Sequence, residues 1–102
     1  MEELISNQQA FAEKVVWITG ASGGIGEEMA VEFARAGSKL VLSARNQKKL
    51  ECVRDRCFEA GADHGSMLVL PLDVVDLDAM PGAVNKVMEK YSKIDLLINN
   101  AG

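Results

Sequence analysis

The stretch Thr19-Gly20-Ala21-Ser22-Gly23-Gly24-Ile25-Gly26 limits what this chain can fold into more than any other. It follows the apolar run Val15-Val16-Trp17-Ile18. It leads into Ile25, Met29 and Phe33, spaced i, i+4 and i+8 as on one face of a helix. A glycine-rich turn between a strand and a helix is a phosphate-binding device. The glycines let backbone approach a pyrophosphate, and the helix N-terminus offers unpaired N–H groups and the positive end of a dipole. Glycines at a turn are more often only structural, so the surrounding pattern has to decide.

That pattern is a regular alternation. Strands are expected over Val15 to Thr19, Lys39 to Ala44, Met67 to Leu70 and Ile94 to Ile98. A first helix is expected over Ile25 to Ala36, with Gly37 as its stop. A second starts from Asn46 as N-cap, keeps Leu50, Val53, Cys57 and Ala60 on one face, and ends at Gly61. A third carries Val84, Val87, Met88 and Tyr91 on one face. Pro81 has no N–H to donate and belongs in its first turn, which favours Asp78 over Asp76 as N-cap. The strands are nearly continuous apolar runs, as in a parallel sheet covered on both faces. Right-handed crossovers then give an α/β, Rossmann-type, doubly wound sheet of about four strands in the order 3-2-1-4 with three helices. Residues 1–13 read as a lead-in and residues 14–102 as one unit, the N-terminal half of such a fold, truncated after the fourth strand.

Composition narrows the classes of function. In 102 residues, hydrophobic side chains make up 48% and charged ones 25%, an ordinary globular balance, and the net charge of −4 argues against a nucleic-acid partner. No apolar run approaches the roughly 18 residues of a membrane span, and residues 1–13 lack a signal-peptide core. Cys52 and Cys57 lie five apart on the second helix and point roughly 140° away from each other, so they are read as reduced thiols in a reducing intracellular compartment. No metal-ligand spacing is present, and His64, in Gly61-Ala62-Asp63-His64-Gly65, is read as a solvated loop residue.

The spacing of Gly20, Gly24 and Gly26 is the Thr-Gly-x-x-x-Gly-x-Gly form rather than the commoner G-x-G-x-x-G. With Asp73 after the third strand and Asn99-Asn100-Ala101-Gly102 after the fourth, it resembles the short-chain dehydrogenase/reductase family in both order and spacing. The resemblance covers about residues 13–102, the cofactor-binding part of the family's usual domain. It implies cofactor-binding roles for the loop residues Thr19, Gly20, Ser22, Gly24, Ile25 and Gly26. It places Asp73 near the adenine ring with Val74 as its apolar neighbour, and Asn99, Ala101 and Gly102 beside the cofactor at the end of the fourth strand.

The end of the second strand speaks to which cofactor. A site for NAD typically holds the ribose 2′-hydroxyl with an Asp or Glu about 20 residues past the loop. Between Gly37 and Gln47 there is no acid; Arg45 stands there, with Ser43 near it. A guanidinium pairs bidentately with a 2′-phosphate that a carboxylate would repel. In the resembling family Arg45 matches a position that favours NADP(H), and Ser22 a loop position that reaches the phosphate. Gly23 departs from the pattern, standing where many NADP-preferring members carry a basic residue.

The family's activity, reversible interconversion of a carbonyl and an alcohol in a small-molecule substrate, also needs a serine and a tyrosine followed four residues later by a lysine. The only tyrosine is Tyr91, and Asp95 stands four residues on. In the family that machinery would come after Gly102. The resemblance therefore implies an oxidoreductase represented here by its cofactor half, with no catalytic residue in this chain, a homo-oligomer at full length, and in some relatives an N-terminal membrane anchor. The alternative is a catalytically silent nucleotide-binding module.

Overall fold

A computed structural model describes residues 11–100. The elements run β1 (Val15–Thr19), α1 (Gly24–Arg35), β2 (Lys39–Ser43), α2 (Gln47–Glu59), β3 (Met67–Val69), α3 (Met80–Tyr91) and β4 (Leu96–Asn99). Short 3-10 turns occupy His64–Ser66 and Leu77–Ala79. All strand pairs are parallel and the order is β3-β2-β1-β4. The chain starts in the middle of the sheet, steps outward twice, then crosses back to the other side of β1. That reversal leaves an opening above the ends of β1 and its neighbours.

The alternation of side chains along each strand divides the core into two layers. Val16, Ile18, Leu40 and Leu42 pack with Met29, Phe33, Leu50, Val53 and Cys57, so α1 and α2 cover one face. Val15, Trp17 and Val41 pack with Ala83 and Val87, so α3 covers the other. Helices on both faces explain why β1 is buried along its whole length. Of the expected lead-in, residues 1–10 lie outside the described ones, but Phe11 is part of the fold. Its ring meets Phe33 edge-on at 5.2 Å.

Several expectations are corrected. The N-cap of α3 is Ala79, not Asp78. The chain enters through a 3-10 turn whose own N-cap is Asp76, and Asp78 is spent inside that turn. Pro81 still falls in the first helical turn. On α3 the buried stripe is Ala83 and Val87, while Met88 is exposed and Val84 and Tyr91 are half-buried. The fourth strand begins at Leu96 rather than Ile94. Ser92 ends α3 in a left-handed conformation, and the chain first meets β1 when the Asp95 N–H donates to the Val15 carbonyl. Of the two cysteines, Cys57 is buried, which pushes its thiol up to about 11, and Cys52 is exposed. No helix among the described residues is long and apolar enough to cross a membrane.

Candidate cofactor-binding site

At the C-terminal ends of β1, β2 and β3 lies an open cleft of about 850 Å³, lined by Gly20, Ser22, Ala44, Arg45, Asn46, Gln47, Lys48, Lys49, Leu72, Asp73 and Val74. Five of the expected site residues meet there: Gly20, Ser22, Arg45, Asp73 and Val74. In open α/β sheets a ligand crevice forms at this place, outside the carboxyl ends of the strands where the order reverses.

The loop between β1 and α1 is held from two sides. The Ala21 N–H donates to the Ser43 carbonyl at 3.1 Å, which ties it to β2. The Thr19 hydroxyl donates to Asn99 Oδ1 at 2.9 Å and accepts the Asn100 N–H at 3.1 Å, which ties it to β4. Asn100 Nδ2 donates to the Gly20 carbonyl at 3.2 Å. Gly26 must be glycine for a packing reason. A Cβ there would lie 2.2 Å from the Gly20 carbonyl oxygen and 2.8 Å from Asn100 Nδ2. Gly24 is different: open space surrounds it, and its φ of +57° is what disfavours a side chain.

The two helices that start at the cleft are capped differently. Asn46 accepts the Lys49 N–H at 3.1 Å and so satisfies one orphan donor of α2. The N-cap of α1 is Gly23, which has no side chain to offer. The first-turn N–H groups of α1 are left to a ligand or to water.

The remaining site residues fall outside the cleft lining. Ser43 is fully buried and its hydroxyl accepts the Trp17 indole N–H at 2.8 Å. Strand alternation sends it onto the α3 face, and the cleft starts one residue later at Ala44. Ile25 was expected to continue the apolar stripe of Met29 and Phe33. It is 65% exposed in the first turn of α1, because the helix starts where the strands end. Thr19 is buried and bonded to Asn99, which is exposed. Ala101 and Gly102 lie outside the described residues.

Asn100, Lys48 and Lys49 take part in this end of the molecule without having been singled out from the sequence. Arg45 is exposed on the cleft with no ion partner among the described residues, and the side chains of Lys48 and Lys49 likewise have none. Asp73 accepts the Val75 N–H on Oδ1 at 3.1 Å, which fixes the turn after β3. Tyr91 sits at the opposite end of the sheet. Its hydroxyl reaches the Gly65 carbonyl at 3.5 Å, and burial pushes its phenol up to about 12. Among the described residues no group of His, Cys, Asp or Glu is arranged to hold a metal ion.

Residues 14–102 match the profile of the short chain dehydrogenases. The chain belongs to that family. It is similar to dehydrogenase/reductase SDR family member 7 of Mus musculus, with 47% identity over 91 residues, which is 88% of this chain and 27% of that protein. Its fold is similar to a metagenomic short-chain oxidoreductase in complex with NADP, with a TM-score of 0.84 and 31% identity over 91% of this chain and 41% of that one. It is equally similar to an NAD+-bound xylitol dehydrogenase, with a TM-score of 0.82 and 35% identity over 90% of this chain and 34% of the other. The chain thus spans little more than a quarter of the curated relative, and family members of both cofactor types share its fold.

Proposed function

We propose that this chain builds the dinucleotide-holding part of an NADP(H)-dependent oxidoreductase that interconverts a carbonyl and an alcohol in a small-molecule substrate. The observation that carries the cofactor preference is Arg45, two residues past the end of β2, exposed on the cleft with no acid between Gly37 and Gln47. A carboxylate there would accept from a ribose 2′-hydroxyl and repel a 2′-phosphate. A guanidinium does the reverse, and Lys48 and Lys49 add positive charge to the same wall.

The residues present fit such a cofactor. The close approach of Gly26 to Gly20 keeps the loop thin enough for a pyrophosphate to reach the uncapped start of α1. Gly20 and Ser22 form the floor of the cleft beside it, and Gly24 and Ile25 supply first-turn N–H groups. Asp73 and Val74 line the wall where an adenine ring would lie, the carboxylate as a hydrogen-bond acceptor and the valine as an apolar surface. Thr19 and Asn99 hold β4 and the loop at a fixed distance. When bound, the nicotinamide supplies or accepts the hydride.

This chain's part is binding and orientation. Tyr91, its one phenol, lies at the wrong end of the sheet and has no lysine four residues on. On this reading the chain supplies no proton-transfer group, and the expected outcome for residues 1–102 alone is no carbonyl turnover. Calorimetric titration of the chain and of Arg45→Ala with NADPH and NADH tests the reading. The charge-assisted bonds of Arg45 are worth about 1.5–3 kcal/mol, so its loss weakens NADPH binding about ten- to a hundredfold and leaves NADH nearly unchanged. Tighter binding of NADH than NADPH by the unmutated chain would overturn it.

A further inference from the structure

One and two residues after Gly26, the start of α1 carries two carboxylates, Glu27 and Glu28. Acids in this position suit the helix, whose N-terminal dipole end is positive. They suit a bound pyrophosphate poorly, because it uses the same end of the same helix. The structure sets a cation against both of them from another helix. Arg56, in the last turn of α2, pairs through Nη1 with Glu27 and, at 3.3 Å, with Glu28. The Glu27 side chain is 24% exposed, whereas those of Arg56 and Glu28 stand at the surface, at 43% and 64%. Arg56 is absent from the cleft lining, and anything it does there it does through the two glutamates.

We propose that Arg56 is a positioning residue that masks Glu27 and Glu28 and so keeps the start of α1 receptive to the phosphates of a dinucleotide. This rests on reading the Gly20–Gly26 loop as a pyrophosphate cradle. Two acids and one guanidinium leave a single net negative charge at the helix start. Arg56→Gln makes it two negative charges. Glu27→Gln with Glu28→Gln makes it one positive charge, and the triple variant makes it zero. Electrostatic masking therefore orders dinucleotide affinity as double Gln variant, triple variant, unmutated chain, Arg56→Gln. A mere brace between α1 and α2 gives another order, because all three variants break the brace and all three should weaken binding.

The test is a fluorescence titration of the 102-residue chain and the three variants with NADPH, at low and high salt, beside thermal melts that report the brace. Masking predicts about three- to tenfold weaker binding for Arg56→Gln, one charge step, and tighter binding by a larger factor for the double Gln variant, which moves two steps the other way. Both differences shrink at high salt, while the melting midpoint falls in both variants. A double Gln variant that binds no more tightly than the unmutated chain would overturn the proposal and leave the cradle standing. Absence of NADPH binding by the unmutated chain, with its fold intact by circular dichroism, would overturn both.

Discussion

The two ends of the sheet are built on opposite terms. Where the strands begin, polar groups answer one another. Lys39 pairs with Glu13 at 3.3 Å and stands 5.9 Å from the Tyr91 ring centroid, and Lys90 approaches the same ring at 5.5 Å. The Ser38 hydroxyl donates to the Phe11 carbonyl at 2.9 Å. Two cavities at that end measure about 240 and 280 Å³. Where the strands finish, the cavity is more than three times larger, and Arg45, Lys48 and Lys49 face it without ion partners among the described residues. The start of α1 there has no side-chain cap. One end spends its polar groups on the fold. The other holds them in reserve, on a scaffold fixed by Thr19, Asn99 and Asn100.

The strongest way to break this contrast is to fill the one close approach in the cleft end. Gly26→Val should abolish dinucleotide binding and lower the melting midpoint, because the new side chain meets the Gly20 carbonyl and Asn100. Gly24→Ala has room and meets only the conformational cost of positive φ, about 1–2 kcal/mol, so it should melt above Gly26→Val. Equal melting of the two would remove the distinction between packing and conformation.

A smaller effect compares cations at the two ends. Lys39→Met should leave NADPH affinity within about twofold of the unmutated chain while Arg45→Ala loses at least tenfold, because one lysine is already paired and the arginine is not. Thr19→Val probes the scaffold under the loop. It removes the partner of Asn99 Oδ1 and of the Asn100 N–H, which water can partly replace, and should cost about 0.5–1.5 kcal/mol in chemical denaturation.

The smallest effect is a pH dependence at the start of β1. The Val15 N–H donates to Asp95 Oδ2 at 2.8 Å, and Lys93 pairs with the same oxygen at 3.1 Å. The backbone bond first and the lysine second hold the Asp95 carboxyl below the usual carboxylate range. A depressed value in the folded state means that the stabilisation is complete above the ordinary carboxylate value near about 3.9 and is lost as pH falls through the folded value. Asp95→Asn should therefore flatten the acid limb of the stability profile below about pH 4 and leave its neutral part with only a small offset. An unchanged acid limb would show that Asp95 is not linked to folding.

Much of the fold was legible because local signals and the global pattern agree. Val15–Thr19 matches its expected span, β2 differs by one residue, and Asn46 caps α2 as its side chain suggests. The errors arise where tertiary structure decides. Asp78 looked like a cap by proximity to Pro81, but a 3-10 turn absorbed it. Ile25 fits the helical period, but no sheet lies beneath its turn. Ser43 is adjacent to the cleft in sequence and faces away from it in space, because Trp17, 26 residues earlier, claims its hydroxyl. Asn100 carries no signal of its own beside Asn99, since nothing in a doublet says which member reaches back to the loop. Lys48 and Lys49 carry a hint in their place, two and three residues after the Asn46 cap in the first turn of α2.

The most direct test of the central claim is a two-dimensional amide NMR titration of the 102-residue chain with NADPH. The account predicts that shifts concentrate at Gly20, Ser22, Gly24, Gly26, Arg45 and Asp73, while Ser38, Lys39, Gly65 and Tyr91 stay still. Shifts centred on the second group, or none in the first, would contradict it.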